Sequence, residues 1–373
     1  MTGHRTGLRL LVGSYTATSG GHATGISFVD DSGDHPGDSE HHDDGDDVAR
    51  GGHDDVVRTI AVVDDPSFIA VDADAVYAVS ETDDGGVHAF RRDGVELRHL
   101  WSTRSGGDAP CHVRVDPSGV LLVANYLSGT VGVVTTTGGD PAVAAMPPVT
   151  GPVEDRQDGP HAHQSIGVPP DAGLRGDVIV SDLGGDALHE YRFGADGLEP
   201  VAVHHLDSGT GPRHMAWHDG DLFVSGELDG RVHRLRVTDG VLGPVESAAT
   251  SEPAAAGDDS AIADAATVTG STGQSYLSHL EVTRAGLVYV AVRGRDTIAV
   301  LDATGPLRLV AEVDCGGAWP RHFALTTGTD GPVVVVANER SDTLTVLPLG
   351  PDGVPGAPTA TIAVGSPTCV VPL

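Results

Sequence analysis

The chain has 373 residues, of which 39% are hydrophobic and only 4% are aromatic, and its formal net charge at pH 7 is −31. A surface this acidic repels nucleic acid and anionic membranes, so neither is expected as a partner. The first apolar segment, residues 8–12, is too short for a signal peptide or a membrane span. A cytoplasmic location is therefore expected.

Three cysteines, Cys111, Cys315 and Cys369, provide neither a disulfide framework nor the paired spacing of a zinc site. Cys111 and Cys369 fall at the starts of predicted strands, where a small buried thiol is the usual interpretation. With 51 glycines and 24 prolines, the chain is rich in turn-forming residues, as a protein of many short strands requires. The composition therefore favours an all-β protein.

A short strand pattern recurs along the chain and carries a histidine in five of its copies. These copies are residues 111–115, 162–166, 213–217, 278–282 and 321–325, with His112, His163, His214, His279 and His322. Residues 67–71 and 368–371 fit the same pattern without a histidine. A repeat of roughly 40–50 residues built from short strands is typical of a β-propeller. In a propeller, equivalent residues of all blades face one central channel.

Further strands are predicted beside these copies. Apolar second strands that end in polar residues are predicted at residues 10–15, 76–81, 121–126, 178–182, 222–227, 288–293 and 333–339. Third strands are predicted at residues 86–90, 130–134, 187–193, 231–237, 297–301 and 343–347. The N-terminal unit lacks a first strand, whereas residues 367–371 form a first strand with nothing after it. Together they are expected to complete one blade, which removes the exposed edges of an open array.

The sequence therefore predicts an all-β fold: a single seven-bladed β-propeller over residues 1–373. Its blades are expected to be four-stranded antiparallel sheets, closed by the N- and C-terminal strands. Two polar segments, residues 30–55 and 248–275, are predicted to be loops inserted into blades. Weak metal binding by the first loop is disfavoured, because its histidines suit no closed site. They are His35, His41, His42 and His53.

Polar side chains stand at the ends of the predicted second strands, where they alternate out of an apolar run. They are Glu81, Tyr126, Asp182, Glu227, Arg293 and Glu339. Arg213 and Arg321 begin predicted inner strands at equivalent positions, so we expect them at the same mouth of the channel. Converging arginines would form a positive pocket in an acidic protein. Such a pocket suits an anionic substrate, because guanidinium groups pair bidentately with carboxylate or phosphate.

Several short motifs in combination carry a family resemblance. They include PCHV at residues 110–113, DPSG at 116–119, VANY at 123–126, GPHAH at 159–163, GPRH at 211–214, GELD at 226–229, RG at 293–294 and PRHFA at 320–324. Over almost the whole chain apart from the two loops, the sequence resembles the seven-bladed propeller lactonases. This family includes bacterial propeller-type 6-phosphogluconolactonases and fungal carboxymuconate cyclases. The resemblance implies one active site at the channel mouth, built from His163, Arg213, Glu227 and Arg293.

Within this pattern, His163 is preferred to His161 because it shares its strand position with His112 and His214. The family usually has asparagine where this chain has Gly226 and Val292, which leaves the choice of substrate open. Six further residues are expected to contribute to substrate binding. They are Arg321, His112, Glu81, Asn125, Tyr126 and Asn338.

Lactone hydrolysis requires a positioned water, a base and donors for the developing oxyanion. Glu227 and His163 are both candidates for the base. A histidine with a pKa near neutrality suits the task, whereas a glutamate flanked by arginines has a lowered pKa and is a poorer base. Arg213 or Arg293 would hold the oxyanion, and the other would hold a phosphate together with Arg321. No metal or cofactor is required, and the sequence has neither a GxSxG elbow nor an HExxH motif.

The leading hypothesis is hydrolysis of 6-phosphoglucono-1,5-lactone to 6-phosphogluconate in the pentose phosphate pathway, by a monomer or weak homodimer. One alternative is a carboxymuconate-type lactone cycloisomerase, and another is a non-catalytic propeller that binds a ligand or a protein. A calcium-dependent six-bladed lactonase is disfavoured because seven units can be counted.

The site residues also have structural interpretations, which the sequence leaves open. Arg213, Glu227 and Arg293 would then form an ion-pair network that joins blades. The repeated histidines would form hydrogen bonds between neighbouring inner strands. Asn125 and Asn338 would cap the ends of strands.

Overall fold

The computed structural model describes residues 5–32, 56–251 and 275–373. Across these residues, 28 strands form seven antiparallel sheets of four strands each, arranged as the blades of a propeller. The predicted all-β, seven-bladed architecture is confirmed. Short 3-10 turns lie between strands at Ala17–Ser19 and Glu339–Ser341. No helix among the described residues has the length and apolar character needed to cross a membrane.

The first blade joins both ends of the chain and confirms the predicted closure. From the channel outward, it contains β28 (Pro367–Pro372), β1 (Arg9–Ser14), β2 (Ile26–Asp30) and β3 (Val57–Ala61). The second blade contains β4 (Ile69–Asp72), β5 (Ala75–Ser80), β6 (Gly86–Asp93) and β7 (Glu96–Arg104). The third contains β8 (Pro110–Asp116), β9 (Val120–Asn125), β10 (Thr130–Thr135) and β11 (Ala142–Ala145).

The remaining blades follow in chain order, each with its first strand beside the channel. The fourth contains β12 (Ala162–Gly167), β13 (Val178–Asp182), β14 (Ala187–Gly194) and β15 (Gly197–His205). The fifth contains β16 (Pro212–His218), β17 (Asp221–Gly226), β18 (Arg231–Thr238) and β19 (Val241–Ala249). The sixth contains β20 (Tyr276–Val282), β21 (Leu287–Arg293), β22 (Thr297–Asp302) and β23 (Arg308–Asp314). The seventh contains β24 (Pro320–Gly328), β25 (Gly331–Asn338), β26 (Thr343–Pro348) and β27 (Ala360–Ala363).

The second strand of each blade is buried on both faces, because a neighbouring blade covers each side. In β1, Leu10 and Val12 join a core cluster with Val335 of the seventh blade. Leu11, between them, joins a cluster with Ile69 and the rest of the second blade. Alternate residues of one strand therefore pack against two different neighbouring blades. For this reason the sequences of these strands are continuous apolar runs.

Inner strands carry a β-bulge at the position of the repeated histidine. In β8 and β24, the register shifts by one residue between Pro110 and His112 and between Pro320 and His322. The same shift occurs in β12, β16 and β20, within residues 162–165, 212–215 and 277–280. A bulge places two residues opposite one and redirects side chains. This geometry lets consecutive residues such as Arg213 and His214 both reach buried positions near the channel.

Hydroxyl groups link the bulged inner strands to the preceding blade. Ser181 Oγ donates a hydrogen bond of 2.7 Å to the carbonyl of Arg213, and Ser225 Oγ donates one of 3.0 Å to that of Ser278. Ser278 Oγ in turn donates to the carbonyl of Pro320 at 2.7 Å. These bonds satisfy buried backbone carbonyls that the bulges leave outside the regular ladder. They hold the first residues of the inner strands in fixed positions around the mouth.

The predicted loops 30–55 and 248–275 lie largely outside the described residues, as do the four histidines of the first loop. Strand β2 extends to Asp30 and strand β19 extends to Ala249, so both strands run slightly into the segments predicted as loops.

Candidate active site

The predicted site residues lie at one end of the channel because of the blade hairpins. In an antiparallel hairpin, the start of the inner strand lies beside the end of the second strand, and the pair Pro212 and Gly226 shows this in the fifth blade. Arg213 follows Pro212, and Glu227 follows Gly226. The same relation places Arg321 beside Glu339 in the seventh blade. The predicted convergence of second-strand ends and inner-strand starts is therefore present.

Glu227 lies at the centre of a buried charge cluster. Its Oε2 is 2.9 Å from Arg213 Nε and 2.6 Å from Arg293 Nη2, and its Oε1 accepts a hydrogen bond from Arg156 Nη2. The Glu227 side chain is only 1% exposed. Burial opposes its ionisation, but the charges of Arg293, Arg156 and Arg213 outweigh burial and lower its pKa to about 2. Glu227 is therefore ionised at neutral pH, and it is a weak base, as the sequence predicts.

Arg156 is a member of this cluster that the sequence analysis does not identify. It lies in the loop between β11 and β12 and has no place in the strand repeat that aligns the other arginines. Besides Glu227, its Nη2 contacts the Tyr126 hydroxyl at 3.4 Å. The available signal is weak: Arg156 is a basic residue three positions before the GPHAH motif at residues 159–163.

The cluster of Arg156, Arg213 and Arg293 around Glu227 carries an excess of two positive charges, three guanidinium groups against one carboxylate. Burial, followed by the charge of Arg293, lowers the pKa of Arg213 to about 9. Arg213 Nη1 is buried and has no hydrogen-bond partner among the residues that the structure describes. This cluster is therefore a preorganised site for negative charge in an acidic protein.

Arg321 belongs to a second charge cluster at the same mouth. Its Nη2 is 3.2 Å from Glu81 Oε2, and its Nη1 is 3.4 Å from Glu339 Oε2. The guanidinium group lies over the Tyr15 ring at 4.8 Å, and the Tyr15 hydroxyl donates to Glu81 Oε1 at 2.8 Å. Although burial opposes its charge, Tyr15, Glu81 and Glu339 raise the pKa of Arg321 above its ordinary value. Two carboxylates already neutralise Arg321, an arrangement that disfavours its predicted role as a phosphate ligand.

The five repeated histidines form one ring around the channel, together with Phe68 of the second blade. Centroid distances between successive rings include 4.5 Å for Phe68 and His112, 5.3 Å for His163 and His214, and 3.8 Å for His279 and His322. His214 and His279 share a 2.8 Å hydrogen bond between their Nδ1 atoms. This bond fits the structural hypothesis of hydrogen bonds between neighbouring inner strands, whereas His279 and His322 stack and His163 meets His214 edge-on.

His163 does not have the near-neutral pKa expected for it. Burial, followed by the charges of Arg213, Arg321 and Arg293, lowers its pKa well below the ordinary value of 6.5. The ring lies 5.8 Å from that of Tyr126, and its Nδ1 has no hydrogen-bond partner within the described residues. His163 is therefore a neutral imidazole at pH 7, able to accept a proton but only as a weak base.

The other predicted substrate-binding residues divide into two groups. Tyr126 lines the mouth beside Arg156, and its ring stacks on that of His161 with centroids 4.3 Å apart. His112 belongs to the histidine ring. Asn125 and Asn338 instead donate hydrogen bonds of 3.1 and 3.0 Å to Thr130 and Thr345 within their own blades. Their geometry favours the alternative interpretation, in which they fix the ends of strands.

Trp319 forms part of the wall beside Arg293. The guanidinium groups of Arg293 and Arg340 lie 5.4 and 3.4 Å from its ring. Its φ angle of 63° places a bulky residue in the left-handed region, immediately before the inner strand β24. Such strained backbone is typical of functional sites, where the surrounding structure holds it in place. Trp319 therefore stabilises the position of Arg293 through a cation–π contact.

A separate cavity of about 520 Å³ lies near the outer strands of the first two blades and is lined by Val62, Asp64, His88, Phe90 and His99 among others. Its lining contains no arginine and includes the carboxylate of Asp64. This charge pattern does not suit an anionic substrate. The mouth, rather than this cavity, is therefore the candidate active site.

Throughout residues 5–32, 56–251 and 275–373, no group of three or more His, Cys, Asp or Glu side chains is arranged to hold a metal ion. Cys111 and Cys369 are free and buried, as predicted, and Cys315 is free and buried as well. Burial raises the pKa of Cys315 to about 12, so this thiol is not a nucleophile at neutral pH.

We expect replacement of His322 by phenylalanine to reduce the acid sensitivity of the protein. Burial, followed by the neighbouring His279, lowers the pKa of His322 well below 6.5, so the fold favours its neutral form. Stability from this group is present above pH 6.5 and is lost as the pH falls below that value, by up to about 1.4 kcal/mol per pH unit. Phenylalanine already occupies the equivalent position at Phe68.

Urea unfolding at pH 7.5 and pH 5.5 measures this effect. The free energy of unfolding of the variant should decrease less between the two pH values than that of the unmodified protein. An unchanged decrease would contradict the assignment of His322 as a neutral buried imidazole.

Comparison with known proteins agrees with the fold. Residues 49–372 match the family model described as lactonase, 7-bladed beta-propeller. The chain is 32% identical to the 6-phosphogluconolactonase of Bacillus subtilis over 308 residues, which cover 78% of this chain and 82% of that protein. The periplasmic gluconolactonase of Pseudomonas aeruginosa has the same fold, with a TM-score of 0.76, 24% identity and coverage of 98% of this chain and 99% of that chain.

A protein from Lactobacillus plantarum also has this fold, with a TM-score of 0.76, 24% identity and coverage of 98% of this chain and 99% of that chain. The family match spans the second to the seventh blade and reaches into the strands that close the first. The chain belongs to the seven-bladed β-propeller lactonase family, and it is an enzyme of the lactonase class.

Proposed function

We propose that this enzyme hydrolyses 6-phosphoglucono-1,5-lactone to 6-phosphogluconate as a step of the pentose phosphate pathway. The observation that supports the proposal is the excess of two positive charges around Glu227, at the mouth of a protein with a net charge of −31. An anionic sugar lactone is attracted to such a site, whereas a neutral lactone has no net charge to be attracted. The Bacillus subtilis relative carries the name of this activity. The pathway implies a cytoplasmic enzyme, and a monomer is sufficient because the mouth is built from one chain.

In the proposed reaction, a water oxygen attacks the lactone carbonyl carbon, and the bond from this carbon to the ring oxygen breaks. Arg213, whose Nη1 has no partner among the described residues, and Arg293 stabilise the oxyanion. His163 is neutral, and its Nδ1 has no partner in the described part of the chain, so it accepts the proton of the water. The ring oxygen then takes a proton to become a hydroxyl group, and the new carboxyl group ionises.

Glu227 has a positioning role in this scheme. Its pKa of about 2 makes it a poor proton acceptor, but its two oxygens hold three arginines in place. Because a lactone is an activated ester and hydrolyses readily, a weak base combined with strong oxyanion stabilisation is sufficient.

Purified enzyme tested on freshly prepared 6-phosphoglucono-1,5-lactone provides the decisive measurement. Formation of 6-phosphogluconate is followed through its NADP-dependent dehydrogenase, with spontaneous hydrolysis subtracted. We expect turnover well above the spontaneous rate, and we expect it to persist after treatment with EDTA. Absence of turnover, combined with activity on a carboxylated muconolactone, would instead support the cycloisomerase alternative.

A further inference from the structure

The arginines of the mouth differ sharply in their exposure. The side chains of Arg213 and Arg293 are 3% and 7% exposed, whereas that of Arg156 is 36% exposed. All three contact the same carboxylate of Glu227, so Arg156 forms the solvent-facing layer of one cluster. A substrate that enters from solvent therefore meets Arg156 before the two deeper arginines.

Arg156 is held in place by the residue that follows it. Gln157 is fully buried, and its Nε2 donates to the carbonyl of Leu183 at 2.9 Å and to Asp186 Oδ1 at 2.7 Å. Its Oε1 accepts a hydrogen bond from Val153 N at 3.1 Å within the same loop. The amide thus fastens the loop to the fourth blade. Arg156 is therefore preorganised, which reduces the entropy lost when a ligand binds to it.

Arg156 retains donors for a ligand. A guanidinium group has five N–H donors, and the contacts of Arg156 with Glu227 and Tyr126 both involve Nη2. Neither of these two contacts uses its Nε or Nη1. The Tyr126 hydroxyl stands beside it as a second polar group, on a ring fixed by stacking on His161. These groups can bind an anion of tetrahedral or planar shape.

The second cluster of the mouth has the opposite charge. Glu81 and Glu339 outnumber Arg321, so this cluster carries an excess of one negative charge, two carboxylates against one guanidinium group. An anionic substituent is repelled there, whereas the hydroxyl groups of a sugar find carboxylate acceptors. The mouth is therefore electrically asymmetric, and a substrate with one anionic end has one favourable orientation.

We propose that Arg156, supported by Tyr126, forms the subsite that binds the anionic substituent of the substrate, while Arg213 and Arg293 serve the reacting carbonyl. The inference rests on the proposed function and makes it more specific. Arg156, rather than Arg321, distinguishes a phosphorylated lactone from a neutral one. The substrate class is a lactone with a single anionic group at the end away from the reacting ester.

The test compares two substrates that differ only in the phosphate, 6-phosphoglucono-1,5-lactone and glucono-1,5-lactone. Hydrolysis of the neutral lactone is followed by release of acid. In the Arg156→Gln variant, the ratio of kcat/KM for the phosphorylated lactone to that for the neutral lactone should fall at least about tenfold, mainly through KM, because a charge-assisted hydrogen bond is lost. Arg156→Lys should restore part of the ratio.

Arg192→Gln is the matched control. Arg192 is an exposed arginine of a carboxylate pair, with Glu199, on β14 and β15 and away from the mouth. This variant should leave the ratio unchanged. Inhibition of neutral-lactone hydrolysis by inorganic phosphate gives an independent measurement. Phosphate should inhibit the unmodified enzyme at lower concentration than it inhibits Arg156→Gln.

The outcomes separate the two proposals. If the unmodified enzyme prefers the phosphorylated lactone and Arg156→Gln keeps that preference, the subsite is elsewhere and this inference is overturned. Equal losses on both substrates would also overturn it, because Arg156 would then act only by holding Glu227. If the unmodified enzyme shows no preference for the phosphorylated lactone, the proposed function itself fails.

Discussion

Replacement of Glu227 by glutamine is expected to lower the free energy of unfolding by about 3–5 kcal/mol, the usual cost of breaking a buried ion pair. This cost arises because Glu227 neutralises buried arginines. Glu227 is 1% exposed, and without its charge Arg213 and Arg293 remain buried with no other carboxylate of the described residues in contact. Their mutual repulsion then adds to the cost of removing them from water. Urea unfolding at pH 7.5 measures the change.

Glu199→Gln provides the control for this experiment. Glu199 also pairs with an arginine, Arg192, but its side chain is 49% exposed. We expect its loss to cost less than about 1 kcal/mol, because exposed ion pairs are weak. A small effect of Glu227→Gln, similar to that of the control, would show that water screens the cluster.

The effect of Glu227 should also depend on pH with a definite sign. Its pKa in the fold is about 2, below the ordinary value of 4.5. The stabilisation is therefore present above about pH 4.5 and is lost as the pH falls towards 2. The stability difference between the unmodified enzyme and Glu227→Gln should shrink over this range.

Replacement of Arg213 by methionine is expected to reduce kcat about 10²–10³-fold, the loss typical of an oxyanion donor. Arg213 Nη1 is buried without a partner among the described residues, so it is available to developing negative charge. Methionine keeps much of the side-chain volume and leaves Glu227 paired with Arg293 and Arg156. The measurement is kcat on the phosphorylated lactone, together with a melting curve that reports on folding.

The different roles proposed for Arg213 and Arg156 provide a control for this prediction. Loss of Arg213 should lower kcat on phosphorylated and neutral lactones to a similar degree, whereas loss of Arg156 should change their ratio. A loss at Arg213 that appears only in KM would contradict its assignment to the reacting carbonyl.

The sequence by itself determined the architecture. Seven copies of one strand pattern require seven equivalent blades, and the incomplete units at the two ends require each other. Alternation also indicated the candidate site, because polar residues such as Glu227 and Arg293 end apolar strands and therefore belong to a channel mouth rather than to the apolar core. These features follow from local periodicity, which a single sequence displays directly.

Only the tertiary structure decided how the charges pair. Arg213 and Arg321 each pair with the carboxylate of their own blade, Glu227 or Glu339. The two clusters differ in what other parts of the chain add, because Arg156 and Arg293 join Glu227. Arg321 instead gains a second carboxylate, Glu81. Partners on different blades are separated by many residues, and the bulges that redirect these side chains have no clear sequence signal. The pKa of His163 was mispredicted for the same reason, because it depends on burial and on arginines from other blades.

Arg156 is the site residue that the sequence alone does not predict. It lies in a connecting loop outside every repeat, 71 residues from Glu227 in sequence, and it becomes a site residue because Gln157 fastens that loop to the fourth blade. The periodicity of the sequence defines the strands. It also indicates at which end of the channel their polar residues lie. The contacts of a loop depend on long-range packing, and so the charge pattern that selects a substrate is a property of the folded chain alone.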